Sequence, residues 1–553
     1  MKKWETINKL KTQNAKLKID ELINLLLENR GITTKKEREA FLNPKLEDVT
    51  PKSVGIDAKQ LKQAIARIKQ AIEKKEQIIV FGDYDVDGIT GSAILWETLH
   101  SLGADVWPYI PSRVEEGYGL SVKALENQAL RAKHPTLIIT TDNGIVAHDA
   151  VTFANEQGID VIITDHHVVS ETLPDAVAIV HTTKLCGAGV AYVLSKELRV
   201  SEDNHLELAT LGTVADMVPL TGANRAIVKN GLPVLSQTKR LGLLALFKQA
   251  GLQKETFSVY EIGYIIAPRL NASGRIASAM DSLRLLCTTN KKRAEDLAEL
   301  LEATNKERQI LLREAAEDAV LRVKQQAASI KKLVIVAQES YQEGVIGLVA
   351  GRLVEAFYRP AIVIAKREKM SKASARSVSG FNIIEFLRIH AAHFVNVGGH
   401  PMAAGFTIET EKITLLQQLF EEQAEKMLDE VTLTRKLKID CELSLSMITE
   451  KLYEALQVLA PFGMGNPEPV FATRDVIIQD IRVMGKEGSH LKLFLRQEKD
   501  SFEAIAFGMG ERASELHVGD AIDVAYTIDE NTWNGNTKLQ LKVKDIVKQA
   551  QAV

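Results

Sequence analysis

Asp83, Asp85 and Asp87 place three carboxyl groups within five residues, and the chemistry open to this chain starts there. They follow a short apolar run, Gln77-Ile78-Ile79-Val80, and precede a helix-like stretch, Ser92 to Trp96. Carboxylates this close repel one another, and burial at a strand end disfavours their charged form. A divalent cation is the usual compensation. The pattern returns where Leu137-Ile138-Ile139-Thr140-Thr141 runs into Asp142-Asn143-Gly144, and where Val161-Ile162-Ile163-Thr164 runs into Asp165-His166-His167. Gly212 to Met217 is a fourth case, apolar sequence ending on Asp216. Any one of these acids is accounted for as a helix N-cap after a parallel strand. The whole set, with a His-His pair beside one member, is not. Carboxylate oxygens with one imidazole suit Mn²⁺ or Mg²⁺ better than structural zinc. Two such ions would clamp a phosphoryl group for hydrolysis.

The elements that must position these residues read as α/β. From about 56 to 220, Ile/Val-rich strands alternate with helical stretches, the signature of a parallel sheet covered on both faces. Ligands of open α/β sheets bind beyond the carboxyl ends of the strands, where the acids sit. Residues 291–328 are rich in Lys, Glu, Ala and Leu and lack Pro and Gly. They predict one helix on the order of 55 Å long, a connector between domains. A second α/β unit starts at Lys332 and runs to about 430. Beyond Leu437, short alternating strands separated by Gly and Asn predict a small antiparallel barrel. The expected organisation is a cap over 1–55, a catalytic parallel-sheet domain over 56–290, a connecting helix over 291–330, an α/β domain over 331–430 and a nucleic-acid-binding barrel over 431–553.

At 553 residues the chain is too long for one core. A net charge of −3 excludes a basic coat protein but not a local basic channel. The three cysteines, Cys186, Cys287 and Cys441, are dispersed, which fits a reducing cytosol rather than a disulfide framework. Met1-Lys2-Lys3-Trp4-Glu5 is followed by no apolar core of a signal peptide, and no apolar run is long enough to span a bilayer. The expected location is the cytoplasm.

With the acids and histidines in view, a family resemblance follows. Asp85-x-Asp87-Gly88, Asp142-Asn143-Gly144 and Asp165-His166-His167 resemble the first three motifs of the DHH phosphoesterase superfamily, and Asp216 resembles the fourth. Within it, the chain is similar to the single-strand-specific 5′→3′ DNA exonucleases. The segments Asn29 to Ile32, Phe41 to Pro44, Pro111 to Leu120, Leu185 to Ala191 and Pro268 to Arg275 carry the likeness. So do Gly398 to Phe406, which resembles the core of a DHHA1 domain, and Pro461 to Pro469, which resembles the start of an OB-fold.

The resemblance implies that Asp85, Asp87, Asp142, His166 and Asp216 bind two Mn²⁺ or Mg²⁺ ions. It implies that His167 contacts phosphate, that Asp83 orients the ligands, and that Arg275 meets a phosphate near the metals. Arg113, Ser374 and Arg376 match positions of a 5′-phosphate site, a role suited to the planar arginine fork. His400, in its Gly-Gly-His turn, is expected on the substrate side. The implied activity is metal-dependent hydrolysis of single-stranded DNA to 5′-mononucleotides, in DNA repair and recombination, by a monomer. A single-strand-binding protein or a RecQ-type helicase is an implied partner. In the barrel, Trp533 and the Lys538–Lys544 strand are candidates for strand contact.

The chain departs from the family in two places. The 178–186 stretch is short, and Tyr341-Gln342 stands where Trp-His is usual. A small-substrate phosphodiesterase acting on oligoribonucleotides or cyclic dinucleotides and a non-catalytic DNA-binding relative that has lost its metals are the competing readings.

Overall fold

Five apolar runs that end on polar residues form one parallel sheet. The computed structural model describes residues 2–7, 18–113, 116–198, 205–253, 256–326, 330–533 and 536–549. In chain order the elements are β1 (Gln77–Gly82), α1 (Val86–Ser101), β2 (Asp105–Tyr109), β3 (Leu137–Thr141), α2 (His148–Glu156), β4 (Asp160–Asp165), β5 (Ala178–His181), α3 (Gly187–Leu198) and α4 (Leu206–Ala215). The strand order is β2-β1-β3-β4-β5, every pair parallel. The order reverses between β1 and β3, so a crevice opens there beyond the strand ends. Asp83 and Asp85 follow β1, and Asp142 follows β3.

Side-chain alternation builds two cores from the same strands. Ile78, Val80, Leu137, Ile139 and Ile162 face α1, α3 and α4. Ile79, Phe81, Ile138, Val161 and Ile163 face α2 and the 120–130 segment. Each fully buried side chain contributes roughly 1.5–3 kcal/mol. Such a sheet can carry mutually repelling carboxylates at its end.

The chain continues through α5 (Ala267–Ile276), α6 (Lys291–Gln326), β6 (Val334–Gln338), α7 (Ile346–Phe357), β7 (Ala361–Ala365), β8 (Met370–Arg376), β9 (Asn396–His400) and β10 (Ala403–Glu409). The long helix expected over 291–328 is α6. Its Ala298 and Leu301 lie in the core of the parallel-sheet domain, and its Ala315, Ala319 and Val323 pack with β6, β7 and α7. One rigid element thus belongs to both cores. The second sheet has the order β9-β10-β8-β7-β6, with only β6 and β7 parallel.

The segments Met1–Asn43 and Thr434–Val553 form a separate compact unit. Lys3–Thr6 pairs in parallel with Lys436–Ile439. Leu22, Leu25, Leu26 and Phe41 share a core with the strands β11 (Phe471–Met484), β12 (His490–Gln497), β13 (Asp500–Ala506), β14 (Ala521–Trp533) and β15 (Asn536–Lys548). These strands run β11-β12-β13-β15-β14, and β14 returns to pair with β11, closing a barrel. Two motifs noted in the sequence meet here: Arg30 donates to Asn466 Oδ1 (2.8 Å) and to the Pro467 carbonyl (2.7 Å). The Trp533 side chain lies outside the described residues.

Candidate active site

The acids converge at the carboxyl end of the parallel sheet. Asp85 caps α1, accepting from the backbone N–H of Asp87 (3.0 Å) and Gly88 (3.1 Å). The bland role therefore holds for Asp85, yet it leaves the other oxygen of that carboxyl group free to face the crevice. Asp87, buried, accepts from the N–H groups of Gly187 (2.6 Å) and Ala188 (2.8 Å) at the start of α3. Glycines make this approach possible. A Cβ on Gly187 would lie 2.4 Å from the Asp142 Cβ, and one on Gly212 would lie 2.8 Å from Asp87 Oδ1. Asp142 holds φ +65°, a left-handed conformation of the strained kind found at functional sites.

Ligand-bearing atoms of Asp87, His166 and Asp216 all lie within 4.8 Å of one another, as do those of Asp83, Asp85 and Asp142. His166 Nε2 lies 3.0 Å from Asp142 Oδ1, 3.7 Å from Asp216 Oδ2 and 3.8 Å from Asp87 Oδ2. Asp83 stands among these acids rather than behind them. Oδ1 of Asp83 is buried without a hydrogen-bond partner, and Oδ1 of Asp142, although 3.0 Å from His166 Nε2, makes no well-aligned hydrogen bond. Buried carboxylate oxygens are rarely left so. Burial and mutual repulsion push Asp83, Asp85 and Asp142 above the ordinary carboxylate range. Asp216 is pushed up to about 9 by burial and by the charges of Asp87 and Asp85. Burial lowers His166, which keeps it neutral and able to ligate. The donor set fits two hard divalent cations such as Mn²⁺ or Mg²⁺.

Asp165 has a different task. Its Oδ1 accepts from the backbone N–H groups of His166 (2.6 Å) and His167 (3.2 Å), and its Oδ2 from Ile145 N–H (2.9 Å). The same Oδ1 accepts a hydrogen bond from His167 Nδ1 at 2.8 Å. Burial alone would raise Asp165, but the bond and charge of His167 bring it below the ordinary range. Burial opposes the charging of His167, and Asp165 outweighs it and raises the imidazole. His167 Nε2 lies 3.2 Å from the Tyr118 hydroxyl, and its ring stacks on His400 from β9 at 5.9 Å between centroids. Gly399, with φ +143°, makes that turn; a Cβ there would meet the Ala403 carbonyl at 2.4 Å.

A cationic group adjoins the acids. Arg113 lies 5.1 Å over the Tyr84 ring, beside Asp85. Arg275 comes from α5 and Arg376 from β8. Burial and the charges of Arg113, Arg308 and Arg376 bring Arg275 down to about 10; burial and Arg113 lower Arg376. Cations held this close to one another want an anion among them. Arg376 Nη1 lies 3.2 Å from Ser374 Oγ. Both face the N-terminal turn of α7, where a Cβ on Gly347 would meet them at 2.9–3.0 Å. A helix start of this kind favours phosphate.

The acids, His166, His167, Arg113, Arg275, Ser374, Arg376 and His400 therefore gather at one crevice between the two sheets, whereas the Lys538–Lys544 strand belongs to the separate barrel unit. Others were not anticipated. Asn143 accepts from Leu120 N–H (3.1 Å), tying the arginine loop to β3, and Asn271 accepts from Val86 N–H (3.0 Å). Both stand inside motifs already noted, Asp142-Asn143-Gly144 and Pro268 to Arg275, but neither motif signals its long-range contact. Of the departures, the shortened stretch carries His181, whose Nε2 lies 2.7 Å from the His167 carbonyl. Tyr341 is buried and donates to Asp318 Oδ2 of α6 at 2.6 Å.

Comparison with known proteins agrees with this geometry. The DHH family N-terminal domain matches residues 77–215, the DHHA1 domain 329–426 and the RecJ OB domain 439–545. The chain is 37% identical over 550 residues to the single-stranded-DNA-specific exonuclease RecJ of Bacillus subtilis, spanning 97% of this chain and 69% of that protein. It is 34% identical over 515 residues to RecJ of Thermus thermophilus, spanning 91% and 73%. The crystal structure of Thermus thermophilus RecJ in complex with Mn²⁺ matches with a TM-score of 0.83 at 30% identity, over 99% of this chain and 80% of that one.

Proposed function

This chain belongs to the RecJ family of single-stranded-DNA-specific exonucleases, and on that premise we propose that it hydrolyses single-stranded DNA stepwise from the 5′ end, releasing 5′-mononucleotides. The observation that carries this reading is the abutment of two opposed fields. Five carboxyl groups cluster with His166, and Tyr84, which feels the charges of Asp83 and Asp85, also carries Arg113 over its ring and feels Arg275, itself under the influence of Arg376. A terminal phosphate fits the arginines and the next phosphodiester the acids.

Asp85, Asp87, Asp142, His166 and Asp216, with Asp83 beside them, would hold two Mn²⁺ or Mg²⁺ ions. Bound there, the ions supply charge neutralisation at the phosphodiester and activation of water. The protein's own groups do the rest. Arg113, Ser374 and Arg376 fix the 5′-phosphate, by forked hydrogen bonds and the start of α7. Arg275 bonds the next phosphate. His167, kept protonated and oriented by Asp165, presents Nε2 to a non-bridging oxygen as charge develops there. His400 stacks on the His167 ring and narrows the crevice. A crevice too narrow for duplex accounts for single-strand selectivity.

The same reading places the protein in the cytoplasm, in DNA repair and recombination, as a monomer that works with a single-strand-binding protein or a RecQ-type helicase. Among the described residues no helix is long and apolar enough to cross a membrane.

The test is Mn²⁺-dependent digestion of a long 5′-phosphorylated single strand labelled separately at each end, with Asp142→Ala as control. Mononucleotides appearing first from the 5′ end, and lost in the variant, are the expected result. Release from the 3′ end, or cleavage of dinucleotides alone, would overturn it.

A further inference from the structure

A helix face leads away from the arginine group and ends in two tyrosines. Glu261–Ile266 is a π-helical turn that runs without a break into α5. Tyr260, Tyr264, Pro268, Asn271 and Arg275 follow at spacings of three or four, so they share one face. All five are at least partly exposed, while Ile262, Ile266, Leu270 and Ser273 on the other side are buried. The inner end of this stripe belongs to the site. Asn271 holds the Asp85 loop through Val86 N–H, and Arg275 lies within the influence of Arg113 and Arg376.

At the outer end, the rings of Tyr260 and Tyr264 stack at 4.9 Å between centroids and 26° between planes. They are 59% and 73% exposed. Exposed Trp107 differs, because the Lys133 ammonium covers its ring at 3.2 Å. The tyrosine pair presents a broad π-surface to solvent. A π-turn is rare and is frequently found at functional sites. Tyr264 is eleven residues from Arg275, roughly 16 Å along the helix. A stacked single strand advances about 3.4 Å per nucleotide, so that span corresponds to about five nucleotides and fewer when the strand is extended.

We propose that Tyr260 and Tyr264 form a base-stacking platform for the single strand on the 3′ side of the bond being cut. Stacking on aromatic rings tolerates any base, as a sequence-independent exonuclease requires. The platform holds the outgoing strand while the arginine group holds its 5′ end. The inference rests on the exonuclease reading above, and it names two residues that read neither phosphate nor metal.

The experiment uses the full chain with Tyr260→Leu/Tyr264→Leu and, separately, Tyr260→Phe/Tyr264→Phe. Each is given 5′-phosphorylated strands of three and of about twenty nucleotides. Loss of stacking should lower the long-over-short preference in kcat/KM by about ten-fold or more, through KM, and phenylalanine should restore it. In an Asp142→Ala background, 2-aminopurine scanned along the strand should be quenched at a position beyond the third nucleotide, and the leucine pair should abolish that quenching. A leucine pair with wild-type preference and quenching would overturn the platform. A wild-type protein that leaves the long strand intact would instead overturn the exonuclease reading, and the quenching would still decide the platform.

Discussion

His167 Nδ1 lies 2.8 Å from Asp165 Oδ1, and the same carboxylate oxygen accepts the backbone N–H groups of both histidines. One oxygen therefore fixes the peptide that carries His166 and the ring that carries the His167 proton. Asp165 lies outside all three groups of close candidate ligand atoms, one of which joins His167 to Asp142 and His166.

Asp165→Asn should separate orientation from metal binding. The amide oxygen can still accept the backbone bonds, but it loses the charge that keeps His167 protonated. Groups that orient a catalytic ring typically contribute 10- to 100-fold. A fall in kcat of about that size is expected, with Mn²⁺ affinity unchanged by calorimetry. A variant that lost Mn²⁺ would identify Asp165 as a ligand instead.

The metal-free site should strain the fold. Asp216, pushed up to about 9, favours its neutral form in the folded state. Its folded value is above its unfolded one, so stability is greatest below the ordinary carboxyl range and is lost as pH climbs towards 9. At pH 8 with chelator, Asp216→Asn should melt higher than wild type, by about 3 °C or more. Added Mn²⁺ should reverse the order, because only the full carboxylate set converts repulsion into binding. Thermal scans with and without Mn²⁺ decide this, and equal melting in chelator would count against it.

Much of this was legible because it is local. A buried parallel strand must be apolar to its end, so an acid following Ile-Ile-Val or Ile-Ile-Thr stands out, and so does an uninterrupted 36-residue helix. Role within a motif was less legible. Asp165, His166 and His167 are consecutive, and only the folded turn separates the holder from what it holds. Long-range pairings were illegible. Nothing near Arg30 signals Asn466, and nothing near Asn271 signals the Val86 N–H it caps. The three arginines come from a loop, a helix and a strand, and their mutual influence exists only after folding.

Arg376 should determine the preference for a 5′-phosphate. Its side chain lies beside Ser374 at the start of α7. A charged hydrogen bond contributes about 1.5–3 kcal/mol, so Arg376→Ala should lower kcat/KM on a 5′-phosphorylated strand by about 10- to 100-fold. The loss on a 5′-hydroxyl strand should be much smaller. Lysine should rescue poorly, since it lacks the planar fork. Equal losses on both strands would place Arg376 elsewhere on the substrate.

Away from the site, Glu97 on α1 joins a half-buried network. Arg240 Nη2 donates to its Oε2 at 3.1 Å, and His205 Nε2 lies 3.0 Å from the same oxygen. Burial alone would raise Glu97, but these partners hold it down to about 2. A depressed carboxyl group stabilises the fold above its unfolded value, and that contribution is lost as pH falls from about 4.5 towards 2. The shift corresponds to at most on the order of 3 kcal/mol. Glu97→Gln keeps the shape and removes the charge, leaving Arg240 with Glu207 at 2.9 Å as its remaining acid partner in the network. At pH 7 the variant should therefore unfold at lower urea than wild type. The gap should narrow steadily between pH 5 and 3.5, because Glu97 of the unfolded wild-type chain takes up a proton there while the folded one stays charged, and the variant has no such group. Urea midpoints at three pH values measure it, and a gap that stayed constant would assign the loss to packing rather than to the ion pair.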